Sequence, residues 1–287
     1  MKDFSYEILD LLEKYKNDTE AALKGETCPQ CLYAFSPLRE NLFEWVEFEP
    51  EARVLQIGSD YGSYTGVLAE RAKEVVVLDS RDENLEVNRL RHQGRGNVFY
   101  IRREDKKGYA GEPSGFREYK PAGNTGEPAE QRMAAPFDYV VLGGFLSDCK
   151  KEEAAGILKE AAGFLKPGGK LLAAAENEAG VRYWMGANQP GTSFLEVEFR
   201  GLFEELVEEN GGSFLLYYPV PDYRYPVTVY SDAYLPQTGD VTNISARLDG
   251  PGFWFGSEEE AMAKACQNGT FTKFANSFLG VWEKGSL

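Results

Sequence analysis

The sequence predicts an α/β protein whose mostly parallel sheet is covered by helices on both faces. Short apolar runs typical of buried strands alternate with segments of helical periodicity, and a glycine-rich turn directly follows the first of those runs. Hydrophobic residues make up 43% of the 287 residues, enough to bury a sizeable core. We therefore expect one globular domain.

Each predicted strand is a short apolar run bounded by polar or turn residues. The predicted strands are 53–57, 74–78, 97–101, 137–142 and 170–174, followed after residue 180 by 213–219, 228–230 and 277–282. The predicted helices are 65–73, 83–93 and 152–165, followed by 202–209 and 256–266. Strands that alternate with helices at this spacing form parallel sheets.

The N-terminal segment predicts a helical cap. Apolar residues recur at helical spacing over 4–15, which indicates a helix over 3–24. Ser36-Pro37 provides an N-cap followed by proline at the first helical position, so a second helix is expected over 38–46.

Changes in composition along the chain indicate its division into a cap and a larger domain. We assign residues 1–47 to the N-terminal helical cap and residues 48–287 to the α/β domain. The segment 106–135 is rich in Gly, Pro, Glu and Lys and is predicted to be a flexible surface insertion. The pattern changes again after residue 180, and we interpret 181–276 as an elaboration on the substrate side.

The charge of the chain argues against two classes of partner. Its formal net charge is −15 and its pI about 4.7, and such a surface repels nucleic acid and anionic lipid. The first residues lack the apolar segment of a signal peptide, and no apolar run is long enough to span a bilayer. We expect a cytoplasmic protein without membrane insertion.

The cysteines do not predict a metal site. Cys28 and Cys31 form a CxxC pair, but a zinc site would need a second such pair or a Cys/His pair, and His92 is the single histidine. The pair also lies between two helical stretches rather than after a strand, which differs from a redox motif. We expect free thiols and no metal.

The turn after the first strand predicts a ligand site. Gly58 and Gly62 lie in the segment Gln56-Ile57-Gly58-Ser59-Asp60-Tyr61-Gly62, where glycine lets a ligand approach the backbone. Asp79 ends the second strand, the usual position of an acid that binds ribose hydroxyls. Together they indicate an adenosine-containing cofactor at the strand ends.

Two cofactors are consistent with that pattern, a nicotinamide dinucleotide and S-adenosylmethionine (SAM). A dinucleotide site has the spacing G-x-G-x-x-G, with the pyrophosphate at the helix N-terminus. The glycines here are Gly58, Gly62 and Gly66. This spacing disfavours a nicotinamide-dependent oxidoreductase.

Four segments resemble class I SAM-dependent methyltransferases. They are 54–58 with Gly62, 77–79, 137–142 and the run Leu165-Lys166-Pro167-Gly168-Gly169-Lys170-Leu171. The resemblance covers about residues 36–178. It implies the Rossmann-like fold of that superfamily, with a mostly parallel seven-stranded sheet, and SAM as the cofactor.

A narrower set of segments is similar to methyltransferase domains of bacterial glycan-biosynthesis loci, some of which are fused to glycosyltransferases. These segments are 36–41, 176–184, 218–223 and 274–278. This similarity implies methylation, at oxygen, of a small or glycan-linked acceptor. It also implies a glycosyltransferase as a partner.

The resemblance assigns cofactor-binding roles to residues at the strand ends. The assigned residues are Gln56, Gly58, Ser59, Asp60 and Gly62 in the first turn, Asp79 and Ser80 at the ribose, Asp105 at the adenine, and Gly143 and Gly144 on the pocket floor. By family analogy Tyr33 and Arg39 of the cap lie near the cofactor. Two positions depart from the family, which usually has an acid at Gln56 and glycine at Asp60.

An oxygen acceptor needs a group that takes its proton. His92 is expected on a helix surface away from the strand ends. The candidates for the base therefore come from the later segments and are Asp222, Tyr223, Tyr183 and Asp232.

The aromatic stretch 217–225 leaves a second function open. It could pack as a cover, or it could bind a protein partner such as a glycosyltransferase in a non-catalytic module with the methyltransferase fold. The residues Gln56 and Asp60 favour such a module, because they depart from the cofactor motif.

Overall fold

The computed structural model describes residues 4–104, 115–119, 128–188, 191–242 and 255–286. Its strands are β1 (Arg53–Ile57), β2 (Glu74–Asp79), β3 (Val98–Glu104), β4 (Gly115–Glu118), β5 (Phe137–Leu142), β6 (Leu165–Asn177), β7 (Ser193–Phe194), β8 (Ser213–Val220), β9 (Thr228–Ser231) and β10 (Ser277–Glu283). Its α-helices are α1 (Ser5–Lys14), α2 (Thr19–Gly25), α3 (Pro29–Phe35), α4 (Asn41–Glu44), α5 (Thr65–Arg71), α6 (Asp82–Arg91), α7 (Ala129–Ala134), α8 (Ala154–Gly163), α9 (Val181–Trp184), α10 (Glu196–Asn210), α11 (Glu258–Gln267) and α12 (Phe271–Phe274).

One sheet joins all the described strands in the order β4-β3-β2-β1-β5-β6-β10-β8-β9, with β7 beside the end of β6. The strands β3, β2, β1, β5 and β6 are parallel. β10 lies antiparallel between β6 and β8. The expected α/β class is confirmed. The described chain adds β4, β7 and β9 to the seven central strands.

The central strands are buried on both faces, which explains their continuous apolar runs. Alternate residues of β1 and β2 face opposite sides of the sheet: Leu55 and Val76 face α8 and α10, whereas Val54 and Val75 face α4, α5 and α6. Helices therefore cover both faces, as predicted. None of the helices in the described ranges has both the length and the apolar composition needed to cross a membrane.

The N-terminal segment differs from the single helix predicted over 3–24. Lys16 and Asn17 adopt φ values of 52° and 63°, and this left-handed pair ends α1. The Asp18 carboxylate then accepts the Ala21 N–H at 2.9 Å and starts α2. In place of the helix over 38–46, a 3-10 turn over Pro37–Glu40 precedes the short α4.

Two described parts of the segment 106–135, residues 115–119 and 128–135, contain regular structure. The prediction of a flexible surface insertion stays a prediction for the segment as a whole. β4 pairs antiparallel with β3 and forms an edge of the sheet. In α7 the Met133 side chain is buried in the core, and Arg132 forms an ion pair with Glu74. Composition alone missed these elements because their few apolar residues are completed by distant partners, such as Phe164 against Phe116.

Candidate functional site

A cavity of about 330 Å³ opens at the carboxyl ends of β1, β2 and β5. β2 and β5 lie on opposite sides of β1, so the chain changes direction there and leaves a crevice, the usual ligand position in such sheets. The sequence-predicted residues on its wall are Gly58, Asp60, Asp79, Ser80, Gly143 and Gly144.

The turn after β1 has an unusual backbone. Gly58 has φ 83°, and a Cβ added there would lie 2.9 Å from the Phe145 ring. The next turn residues, Asp60, Tyr61 and Gly62, have φ values of 43°, 55° and 74°. The left-handed region costs roughly 1–2 kcal/mol for each residue other than glycine, so Asp60 and Tyr61 are strained. Such strain is concentrated at functional sites.

The Asp79 carboxylate is held in place on the cavity wall. Its Oδ2 accepts hydrogen bonds from the Ser59 N–H at 2.9 Å and the Asn84 amide at 3.1 Å. Its Oδ1 accepts the Arg81 N–H at 2.9 Å and keeps a lone pair for a further donor. Burial raises the pKa of this carboxyl above its usual range, against the opposing effect of these hydrogen bonds.

Gln56 supports the turn and does not line the cavity. Its amide N–H groups donate to the carbonyls of Gly58 at 3.0 Å and Ser59 at 3.1 Å, and its Oε1 accepts the Thr65 hydroxyl at 2.8 Å. A carboxylate could not donate to these two carbonyls. The amide therefore suits this turn, and Gln56 is not among the residues that line the cavity. Its contact with the cofactor stays a prediction.

Two of the other predicted cofactor residues, Ser59 and Gly62, do not line the cavity, and the third is not described. The buried Ser59 hydroxyl donates to the Asn84 carbonyl at 2.8 Å, behind the wall. Gly62 faces Asn88 and His92, away from the cavity. Asp105 lies outside the described residues.

Asp60 pairs with a buried arginine of the cap. Its Oδ2 accepts a hydrogen bond from Nη2 of Arg39, whose side chain is 0% exposed. The guanidinium carbon lies 3.9 Å from the centre of the Tyr33 ring, and Nη2 also donates to the Tyr64 hydroxyl at 2.7 Å. Tyr33 lines the cavity and Arg39 lies behind Asp60, and the proximity of both to the cofactor stays a prediction.

The two glycines after β5 are required by aromatic rings. A Cβ on Gly143 would overlap the ring of Tyr64, whose hydroxyl donates to the Gly143 carbonyl at 3.1 Å. A Cβ on Gly144 would lie 3.3 Å from the Tyr223 ring. The backbone at these two positions therefore forms the cavity floor.

Sequence reasoning missed the residues that follow this floor. Two 3-10 turns after β5 contribute Phe145 and Glu153 to the cavity lining, and the segment between the turns contributes Asp148 and Cys149. Their position after a parallel strand was an available signal. Burial, together with nearby acids, raises the pKa of the Cys149 thiol to about 12, so it stays protonated at neutral pH.

None of the four residues predicted as a base lines the cavity within the described ranges. Asp222 is 1% exposed and pairs with Arg182 and Arg224. The Tyr223 hydroxyl lies 3.2 Å from the Ser147 hydroxyl, behind Gly144.

The other two predicted bases are also committed elsewhere. The Tyr183 hydroxyl donates to Glu176, and burial raises its pKa far above the usual range. Asp232 pairs with Arg200 at 3.1 Å and accepts the Tyr218 hydroxyl at 2.6 Å. Arg200 lies 32 residues from Asp232, and Glu176 reaches Tyr183 only because the chain turns between β6 and α9, so the sequence did not show that these side chains were occupied.

The histidine and the cysteine pair have structural contacts. His92 Nε2–H donates to the Gly62 carbonyl at 2.8 Å, so this residue supports the turn rather than lying free on a helix surface. The Cys28 thiol caps α3 by accepting the Cys31 N–H at 3.4 Å. The cysteines are free, and no metal-binding group of His, Cys, Asp and Glu occurs among the described residues.

Comparison with known proteins identifies the fold. No protein-family model and no curated protein matches the sequence. Phosphoethanolamine N-methyltransferase 1 of Haemonchus contortus, solved with phosphoethanolamine and S-adenosylhomocysteine (SAH), is similar to 99% of this chain with a TM-score of 0.53. The chain has the fold of SAM-dependent methyltransferases.

The similarity is one of fold, since sequence identity to that enzyme is 14% and the match covers 49% of it. NodS, an N-methyltransferase of Bradyrhizobium japonicum WM9 solved with SAH, matches 98% of this chain and 99% of its own at 14% identity and a TM-score of 0.47. A SAM-dependent methyltransferase of Archaeoglobus fulgidus matches 86% and 93% at 14% identity and a TM-score of 0.48.

Proposed function

We propose that this chain is a SAM-dependent methyltransferase that methylates a small or glycan-linked acceptor at oxygen. The observation that carries the proposal is the Asp79 carboxylate, fixed at the end of β2 on the wall of a cavity floored by Gly143 and Gly144. The acceptor class rests on the sequence similarity to methyltransferase domains of glycan-biosynthesis loci.

The nucleoside part of SAM fits the described residues. The lone pair left on Asp79 Oδ1 suits a ribose hydroxyl, and Gly58 lets a ligand reach the backbone of the turn. The cavity volume of about 330 Å³ lies within the range of small-molecule sites. SAM supplies a methyl group on a sulfonium, which the acceptor displaces in line, so that the protein acts mainly by positioning.

Two carboxylates replace the predicted bases as candidates. Asp148 and Glu153 both border the cavity, whereas Asp222, Tyr183 and Asp232 do not. A carboxylate within hydrogen-bond reach of an acceptor hydroxyl could take its proton. We propose Asp148 and Glu153 for this role.

The alternative function, a module that binds a protein partner, would need the aromatic stretch 217–225 at the surface. Tyr218, Tyr223 and Tyr225 are buried, so most of the stretch 217–225 packs as a cover. Gln56 and Asp60 also have partners that account for them, and neither residue removes the cavity. The two residues that favoured the module, Gln56 and Asp60, therefore have structural roles in the turn and in the pairing with Arg39.

Calorimetric titration tests the proposed function. We expect SAM and SAH to bind the purified protein with micromolar Kd and NAD not to bind. Asp79→Asn removes the anionic acceptor and should weaken SAH binding at least tenfold. The matched control is Glu51→Gln, an exposed carboxylate paired with Lys73, which should change nothing. A folded parent that binds neither SAM nor SAH would refute the proposal.

A further inference from the structure

We propose that Asp60 is a built-in counter-ion that keeps Arg39 from the ligand, so that the cavity draws no affinity from a ligand carboxylate. S-adenosyl ligands would then be bound through the nucleoside and the rest of the amino-acid tail, with no contribution from the carboxylate. This inference rests on the proposed function, because it concerns the ligand of the same cavity.

Arg39 is the basic group that needs an anion here. Its guanidinium is fully buried, and an uncompensated buried charge is strongly unfavourable. Its hydrogen-bond acceptors are the Tyr33 carbonyl at 3.3 Å, the Tyr64 hydroxyl and Asp60. Asp60 is the single carboxylate among these acceptors. It therefore supplies the neutralising charge.

Asp60 separates this guanidinium from the cavity. Its side chain is 16% exposed and lines the cavity, whereas Arg39 does not reach the wall. The Tyr33 hydroxyl donates to the second oxygen of Asp60 at 3.4 Å and fixes the carboxylate in this position. A ligand carboxylate could reach Arg39 only by displacing Asp60.

Arg39 keeps unused binding capacity behind this barrier. A guanidinium has five N–H donors, and its Nε is buried with no hydrogen-bond partner in the described part of the chain. Removal of the Asp60 side chain would open a path from the cavity to a buried cation that lacks its anion. A ligand carboxylate is the natural replacement.

The rest of the wall offers a carboxylate little attraction. Asp79, Asp148 and Glu153 also border the cavity, and Arg81 is the one basic residue among its described lining residues. The Arg81 guanidinium lies 3.9 Å from the Asp79 carboxylate. The charge of the cavity therefore favours ligands with neutral or cationic tails.

The test compares two ligands that differ only in the carboxylate, SAH and decarboxylated SAH, which keeps the amine. For the parent we expect Kd values within threefold of each other by calorimetry. For Asp60→Gly, in which glycine suits the φ of 43°, we expect SAH to bind at least tenfold more tightly than decarboxylated SAH. In the double variant Arg39→Met with Asp60→Gly this preference should disappear.

The outcomes separate the two proposals. A parent that already binds SAH tenfold more tightly than decarboxylated SAH would overturn the inference, with Arg81 the first residue to test as the carboxylate partner. A folded Asp60→Gly variant without SAH preference would overturn the role of Arg39. The comparison on the parent needs no variant to fold. Absence of binding by both ligands would instead refute the proposed function.

Discussion

At the scale of single residues, the turn that borders the cavity is held from behind by α6. The Asn88 amide of α6 donates to the Ser59 hydroxyl at 3.1 Å, and His92, directly after α6, donates from Nε2–H to the Gly62 carbonyl. These contacts hold the left-handed backbone of the turn in place, since Gly62 has φ 74°. The strain in the turn is therefore balanced by side chains outside the cavity.

His92 gives this support a pH dependence. Burial lowers the pKa of its imidazole from the ordinary 6.5 to about 3, so the folded protein keeps it neutral while the unfolded chain takes up a proton below pH 6.5. Stability should fall as the pH drops through this window, by at most about 1.4 kcal/mol per pH unit from this group.

Two measurements check this expectation. NMR can follow the imidazole directly, because the chain has one histidine. Denaturation between pH 4 and 7 should show a flatter stability profile for His92→Gln than for the parent. An imidazole that titrates near pH 6.5 in the folded protein would contradict the account.

At the scale of elements, a buried ionic cluster joins β6, α9 and the chain after β8. Asp222 pairs with Arg182 and Arg224, and Arg224 Nε lies 3.1 Å from Glu176. The cluster balances two arginines with two carboxylates at exposures of 5% or less. It fixes the segment after β8 that places Tyr223 behind the cavity floor.

Asp222→Asn should therefore destabilise the fold. The change keeps the shape of the side chain but leaves two buried arginines with one carboxylate, which costs about 3–5 kcal/mol. Urea denaturation should show this loss, while the exposed-pair control Glu51→Gln should behave like the parent. An Asp222→Asn variant as stable as the parent would show that the ionic cluster does not stabilise the segment after β8.

The limits of the strands and helices could be predicted from the sequence only in part. β1 and β5 have the predicted limits because strands buried on both faces are continuous apolar runs. β4 and the break after α1 were missed, since β4 depends on pairing with β3 and the break on the left-handed pair Lys16 and Asn17. The proposed division at residues 47 and 48 stays a prediction.

The candidate site was predictable only in part. Gly58, Asp79, Gly143 and Gly144 were found because their position at strand ends is a feature of the local sequence. The pairing of Asp222 with Arg182 and of Asp60 with Arg39 was not predictable, because these partners lie 40 and 21 residues away in the chain. Whether a polar residue is free for chemistry depends on its tertiary contacts.

At the scale of the whole molecule, ligand binding is assigned to the cavity at the strand ends. A separate groove on the surface is lined by Trp45, Tyr217 and Tyr234, with the Trp45 and Tyr217 ring centres 4.6 Å apart. The cavity at the strand ends differs from this groove in having Asp79 and the glycine turn. The position at which a nucleoside binds therefore distinguishes the cavity from the groove as the ligand site.

Hydrogen–deuterium exchange with and without saturating SAH measures that location most directly. With SAH bound, we predict slower exchange in peptides that cover 57–64, 79–84 and 143–149. Exchange in peptides that cover Trp45 and 228–234 should be unchanged. Protection confined to the aromatic groove, or binding without protection at the strand ends, would contradict the assignment of the cofactor site.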